Sequence, residues 1–362
     1  MTEEMMQMLS DKGHTGHKRP DRRKPVKVGV AYNLKKETVQ GPLDAEAEYD
    51  DPETVMAIKD ALELSGCLVD LYEADEGLPL RLAEKRPEIV FNIAEGRNGH
   101  GREAQVPAIL SFFGIPYIGS DEAAMCIAMD KALTKRLLGT YRIRTPRYRV
   151  IRKNLPGFKS GGLAYPLIVK PNAEGSGKGI TDVSVVWDAA GLLRAVKECM
   201  EVYDQDMLIE EYIPGREFTV GLLGNGDSLR VFAPMEIIFR DKESGIYSYS
   251  VKRSFKQYVD YACPPDVGAD LLADMEKTAR RIFRIIGCRD FARIDFRLSP
   301  EGRLYFIEIN PIPGLAPGYS DYPMLAEYCG VGYAELIREI LRSALARYGM
   351  DLNETTTMGI EA

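Results

Sequence analysis

Histidine is nearly missing from this chain. Its 362 residues hold three, His14, His17 and His100, and the first two fall in a stretch expected to be a tail. A Ser-His-Asp triad would therefore rest on His100 alone. Cysteine is sparse and scattered: Cys67, Cys126, Cys199, Cys263, Cys288 and Cys329 stand singly, with no C-x-x-C and no Cys/His cluster of zinc spacing. That pattern argues against a zinc module or a disulfide framework and for small buried thiols in a reducing compartment. No run approaches the ~18 apolar residues of a membrane span, and the first 25 residues lack the apolar segment of a secretory signal. A cytoplasmic location is therefore expected. The Walker A pattern G-x-x-x-x-G-K-[ST] is absent, and no internal repeat is evident. The formal net charge of −7 supplies no footprint for nucleic acid or an anionic membrane.

What is present reads as a globular α/β (α+β) chain. A basic stretch, Lys12–Lys27, precedes the first apolar run, so residues 1–25 are expected to be a solvated tail. From Val26 to residue 119, strand-like runs (VKVGVAYN, CLVDLYEA, PEIVFNIAE, IPYIGS) alternate with helical stretches at Asp51–Ser65 and Glu103–Phe113. Such alternation predicts a small, mostly parallel sheet with crossover helices. Residues 120–226 begin with two helical blocks, the first started by Ser120 with Asp121 and Glu122, and continue as strands separated by glycine-rich turns. Residues 227–348 contain the pair FARIDFRL and LYFIEINP, joined by SPEG, with helices near Ala269–Ile286 and Ala334–Ala346. Residues 349–362 read as a second tail.

The pair of late strands carries the most chemistry. Alternation along a strand puts Glu308 and Asn310 on one face and Tyr305, Ile307 and Ile309 on the other; likewise Arg293 and Asp295 share a face while Ile294 and Phe296 turn inward. A tight turn brings Asp295 beside Glu308. Two carboxylates, an amide and an arginine then meet, and like charges so close call for a cation. Mg²⁺, which takes oxygen ligands and completes its shell with phosphates, suits them. Pro311, Pro313 and Gly314 fix an irregular backbone immediately beyond. In PLIVKPNAEGSGKGI, Lys170 ends an apolar strand, and Gly175, Gly177 and Gly179 leave amides able to wrap phosphate oxygens. In LIEEYIPGREFTV, Glu210, Glu211 and Glu217 flank a turn at Pro214–Gly215, where carboxylates and strand-end amides can hold an adenine amino group and ribose hydroxyls.

Taken in order, GIPYIGSD…AMDKALTKRLL, VKPNAEGSGKG, EEYIPGREFTV, RIDFRL and FIEINPIPG resemble the ATP-grasp fold, in its D-alanine–D-alanine ligase branch, from about Val26 to Ala346. The resemblance implies a small amino-terminal parallel α/β domain plus central and carboxy-terminal α+β subdomains that clasp ATP. It implies that Lys131 and Lys170 contact ATP, that Glu210, Glu211 and Ile213 line the adenine, that Glu217 meets the ribose, and that Ser176 and Gly177 sit in a closing loop. Lys252 would reach the terminal phosphate. Asp295, Glu308 and Asn310 would hold two Mg²⁺ ions, with Mn²⁺ as an alternative. Arg293 and the Gly314 amide would steady an acyl phosphate and the tetrahedral intermediate, and Ser320 would bind the carboxylate of a second substrate. The implied reaction joins an amino-acid carboxylate, activated by ATP, to the amine of a second amino acid, giving ADP and phosphate. The partners expected are small molecules, with a homodimer suggested by the family alone.

Departures from the family concern the first substrate. The family's amine-binding glutamate has no clear counterpart in NLKKETVQGPLDAEAEYDDPET, where Glu46 and Glu48 are nearest. Its His-Gly-x-x-Gly-Glu-Asp-Gly turn reads EGRNGHGREAQ, with Glu95 at the histidine position and His100 near the glutamate. Arg253 follows Lys252 where a tyrosine is usual. The first-substrate pocket, with Glu95 and Glu48 as candidate binding residues, is expected to be remodelled. The rival readings are an ATP-grasp kinase and a nucleotide-binding regulatory protein without ligation.

Overall fold

A computed structural model describes residues 24–36, 44, 46–152, 161–175, 178, 184–240 and 255–352. Ser176, Gly177, Lys252 and Arg253 lie outside the described residues.

Three sheets organise the described chain. The first is wholly parallel: β1 (Lys27–Tyr32), β2 (Leu68–Glu73), β3 (Ile89–Asn92) and β4 (Tyr117–Ile118), in the order β2-β1-β3-β4. Every residue of β3 is buried, as a strand covered on both faces requires. The helix Pro52–Leu64 follows the expected pattern. Asp51 is extended, proline opens the first turn, and Thr54, Val55, Ile58, Ala61 and Leu62 form the buried stripe. Against expectation, Asp121 rather than Ser120 caps the helix Glu122–Met129, by accepting from the Ala124 amide. The Ser120 hydroxyl instead accepts from the Arg289 amide. The span 103–113 opens with a turn of 3₁₀ helix at Arg102–Ala104 before the α-helix Gln105–Phe113 begins.

The second sheet comprises β5 (Tyr148–Ile151), β6 (Leu167–Pro171), β7 (Val185–Val186) and β8 (Met207–Glu211) in the order β5-β8-β6-β7, all antiparallel. The third is built on β9 (Arg216–Leu223), β10 (Arg230–Val231), β11 (Met235–Phe239), β12 (Val259–Ala262), β13 (Phe291–Leu298) and β14 (Leu304–Asn310). Its path is β12-β11-β9-β13-β14, with β10 on β9. β9, expected with the central strands, thus pairs with β11 and β13 instead. The chain changes sheet in the turn after Glu211.

The third sheet packs one face on the helix Ala269–Ile286, through Met275, Ala279, Ile282 and Phe283 against Phe218, Val220, Ile294, Phe296 and Phe306. Asp290 ties it to the first sheet. This wholly buried carboxylate accepts from the Gly119 amide (2.8 Å), Asn225 (2.7 Å) and Arg347 (2.7 Å). On the third sheet's other face, Leu223 and Phe291 pack with Tyr322 and Leu325, while Arg293, Glu308 and Asn310 border a cavity. Among the described residues, no helix is long and apolar enough to cross a membrane.

Candidate functional site

The paired strands β13 and β14 bring four of the sequence-derived residues together. Arg293 stands opposite Asn310, and Asp295 opposite Glu308. The expected alternation fails farther back. A bulge between Asp295 and Phe296 sets Phe296 against Phe306, so Leu304 and Phe306, not Tyr305 and Ile307, join Ile309 in the core. A bulge adds one residue to one strand and reverses the face of everything behind it.

Arg293 is the cation between Asp295 and Asp321. Its Nε and one terminal nitrogen donate to the two oxygens of Asp295 (3.0 and 2.9 Å), and its other terminal nitrogen lies 3.6 Å from Asp321. Burial works against this charge, but Asp295 and Asp321 raise the guanidinium's pKa further above its ordinary value. Thr219 donates to Asp295 (2.7 Å), and the Asn310 amide nitrogen approaches its second oxygen (3.3 Å). Glu308 lies 4.0 Å from the Lys131 ammonium. Gly314 and Ser320 meet just beyond β14: a Cβ on Gly314 would stand 2.7 Å from the Ser320 hydroxyl oxygen, which accepts from the Ala316 amide.

The nucleotide side is built on lysines. Asp130 caps the helix Lys131–Thr140 by accepting from Leu133. Asn172, at the end of β6, holds the same turn by donating to Asp130 and accepting from the Ala132 amide. Lys131 and Lys135, one turn apart, therefore bury on one face. Lys131 donates to the carbonyl of Glu174, and burial lowers its pKa. Lys135 and Lys170 grip the two oxygens of Glu210, at 2.8 and 2.5 Å. Although Lys135 is that close, Oε2 of Glu210 receives no directed hydrogen bond from the described residues. Glu211, the next residue along β8, turns to the opposite face, where it accepts from Arg147 and the Ala164 amide. Its side chain is not brought beside Glu210. Glu217, on β9, pairs with Arg297 at 3.5 Å, and Ile213 is half-buried in the turn between the sheets.

Oxygen-rich Asp295, Glu308 and Asn310 suit Mg²⁺. Asp295 would have to share its oxygens with Arg293, and the Asn310 amide would have to present its oxygen. Lysine was the residue type hardest to place from sequence. Lys135 was missed because a lysine within an amphipathic helix reads as solvated; its spacing of four from Lys131 was the available signal.

Across the cleft, Glu48 is clamped. Arg102 bonds one of its oxygens, the Gly175 amide donates to the other (2.6 Å), and Lys178 lies 3.6 Å away. Burial opposes ionisation here, but Arg102 and Lys178 hold the carboxyl below its ordinary pKa. Arg102 also bonds Glu174 (3.0 Å) and the Ala173 carbonyl (3.1 Å), and Lys178 pairs with Glu174 (2.8 Å). Glu95 and Glu103 complete an acidic group with Glu48, in which one carboxylate oxygen from each residue lies within 4.8 Å of the other two. Gly96 fixes this turn: its φ is +75°, and a Cβ would lie 2.1 Å from the Arg102 carbonyl oxygen. His100 does not join the group. It is 71% exposed and sits 3.8 Å from Asp130. The cavity onto which these glutamates open measures about 690 Å³ and also touches Lys131, Arg293, Asn310, Gly314 and Ser320.

Burial, then the neighbouring Glu48, pushes the Glu103 carboxyl up to about 7 against the attraction of Arg102 and Lys131. Burial, with Glu103 and Glu48, raises Glu95 well above its ordinary value. A raised folded-state pKa means that the native state binds more protons, so this group's contribution to stability falls as pH rises from about 4.5 to about 7. Glu103→Gln is therefore expected to raise the melting temperature at pH 8 and to change it little at pH 4. Thermal unfolding of both proteins across that range checks the sign.

Comparisons with known proteins bear on these residues together. Residues 144–342 match the family model described as the D-ala D-ala ligase C-terminus. A D-alanine–D-alanine ligase of Bordetella petrii is 32% identical over 338 residues, covering 91% of this chain and 95% of the relative. The uncharacterized protein y4sG of Sinorhizobium fredii is 33% identical over 296 residues, covering 80% of this chain and 86% of that one. The crystal structure of a D-alanine–D-alanine ligase from Bacillus anthracis complexed with ATP superposes with a TM-score of 0.70 at 22% identity, covering 90% of this chain and 99% of that one. At that identity the match speaks for the fold.

Proposed function

Because this chain belongs to the D-alanine–D-alanine ligase family, with its ATP-grasp fold, we propose that it is an ATP-dependent ligase joining the carboxylate of one amino acid to the amine of another. The observation that carries the reading is the convergence on one cavity of Arg293, Asn310, Glu308, Lys131, Gly314 and Ser320. A carboxylate oxygen of the first substrate attacks the γ-phosphorus of ATP, the bond to the β-phosphate oxygen breaks, and ADP departs. The amine of the second substrate, having lost a proton to solvent, then attacks the acyl carbon. The tetrahedral oxyanion collapses, the nitrogen gives up its second proton to the departing phosphate, the amide forms, and inorganic phosphate leaves.

This chain's residues have distinct parts in that sequence. Lys131 and Lys170 neutralise phosphate charge, and Glu210, held by Lys135 and Lys170, accepts from the adenine amino group. Ile213 and Glu211 contribute backbone to the same end, and Glu217 takes the ribose. Ser176, Gly177 and Lys252 would contact the phosphates. Asp295, Glu308 and Asn310 would hold Mg²⁺, which when bound supplies positive charge to the γ-phosphoryl group as it transfers. Arg293 and the Gly314 amide face the acyl oxygen, where charge develops in the transition state. Ser320 receives the second substrate's carboxylate. A kinase would need no such oxyanion donors, so ligation is favoured over phosphotransfer alone. The first-substrate pocket departs from the family's pattern at Glu95 and Glu48.

The test is ADP release by the purified protein with Mg-ATP and D- and L-amino acids, singly and in pairs, with mass spectrometry of the products. Release that requires an acceptor amine, with a product lighter than the sum of the substrates by one water, upholds the reading. A stable phosphorylated substrate would overturn it.

A further inference from the structure

The acidic group opposite the reaction centre is not balanced by the protein. Four carboxylates gather there, Glu48, Glu95, Glu103 and Glu174, against two cations, Arg102 and Lys178. Both cations are committed to Glu48 and Glu174. The nearby Lys131 gives a bond to the Glu174 carbonyl, and Lys35 pairs with Asp51 at 2.8 Å. Asp50, on the same cavity wall, adds a further acid, its carboxyl pushed up to about 7 by burial. Among the described residues nothing donates a hydrogen bond to Glu95 or Glu103. Both line the cavity. Buried carboxylates without donors are costly, and the space before them is open rather than packed.

We propose that this end of the cleft selects a basic amino acid: Glu95 and Glu103 take the ammonium or guanidinium group of the substrate whose carboxylate is activated. Naming that substrate as the activated one rests on the ligase reading; the cation pocket itself does not. The excess of carboxylates on this wall, Glu95 and Glu103 with Asp50 beside them, suits the two positive charges of a basic amino acid, its α-ammonium and its side-chain cation. A neutral amino acid supplies one. A guanidinium would also present two parallel N–H edges to the pair. A divalent ion is the poorer fit, because both oxygens of Glu48 are already held by donors, Arg102 on one and the Gly175 amide on the other.

The test is calorimetric titration of the full-length protein with D- and L-arginine and D- and L-alanine, with ATP absent, for the wild type and for Glu95→Gln and Glu103→Gln. Circular dichroism and binding of ATP serve as controls for folding. Arginine of one hand is expected to bind at least about tenfold more tightly than alanine, and each substitution to remove that advantage. ATP affinity should stay within about twofold. That result upholds the inference even if no amino acid then supports ADP release, in which case only the ligase reading falls. Equal binding of arginine and alanine, or discrimination that survives both substitutions, overturns it, even if neutral pairs are ligated. Tight binding of Mn²⁺ abolished by either substitution also overturns it.

Discussion

Arg293→Lys is expected to lower the rate of ADP release about 100- to 1,000-fold while nucleotide affinity stays within a few-fold. The expectation follows from how Arg293 is held. Two of its nitrogens bond the two oxygens of Asp295, and the third reaches toward Asp321, so the plane of the guanidinium is fixed over the cavity. Lysine keeps the positive charge, so Asp295 and Asp321 are not left buried against each other and the fold should survive. What lysine cannot supply is a planar fork that satisfies Asp295 and still directs N–H groups at an acyl oxygen. Because that oxygen carries its charge in the transition state, the loss falls on kcat rather than on substrate binding. Steady-state ADP release together with ATP binding measures both. A kcat within tenfold of the wild type would mean that Arg293 serves the fold, not the reaction.

Glu210→Gln is expected to cost about 3–5 kcal/mol of stability near neutral pH. Lys135 and Lys170 are both buried against this one carboxylate, and glutamine would leave two ammonium groups without a counter-charge. Burial opposes ionisation of Glu210, yet the two lysines hold its carboxyl down to about 2. Burial pulls Lys135 below its ordinary value as well, since it shares its partner with Lys170. The carboxylate's direction governs, because two ammonium groups face it. Its folded-state pKa lies below the ordinary 4.5, so the stabilisation is present above about pH 4.5 and is lost as pH falls through about 2. Urea unfolding at pH 7 and again at pH 2.5 should therefore show a large gap between variant and wild type that narrows in acid. A gap that is small at both pH values would mean that the lysines find other partners.

Much of this was readable in the sequence, and for physical reasons. The short SPEG turn fixes how two strands can pair, so the approach of Asp295 to Glu308 followed from counting residues. The period of two was equally sound as far back as the bulge. Behind it, Phe306 and Ile307 exchanged faces, because nothing in LYFIEINP marks where a strand takes an extra residue. Glu211 was grouped with Glu210 because both are carboxylates at a strand end, although neighbours on a strand point apart. Glu95 stands out as a departure at the family's histidine position and Glu48 as a candidate for its amine-binding glutamate, but the pattern has no place for Arg102, Glu103, Glu174 and Lys178. Those four meet only because the turn at Gly96 folds onto the glycine-rich loop, a contact between segments about 70 residues apart. Sequence spacing cannot report such contacts.

The central claim is that a carboxylate is activated by transfer of the γ-phosphoryl group, and isotope transfer tests it most directly. An amino acid labelled with ¹⁸O in its carboxylate is incubated with the protein, Mg-ATP and an acceptor amine, and the released phosphate is examined by mass spectrometry. Passage through an acyl phosphate predicts one ¹⁸O in each phosphate formed, because the bridging carboxylate oxygen leaves with phosphorus. Release of ADP with unlabelled phosphate would mean that water attacks ATP directly, and the account would be wrong.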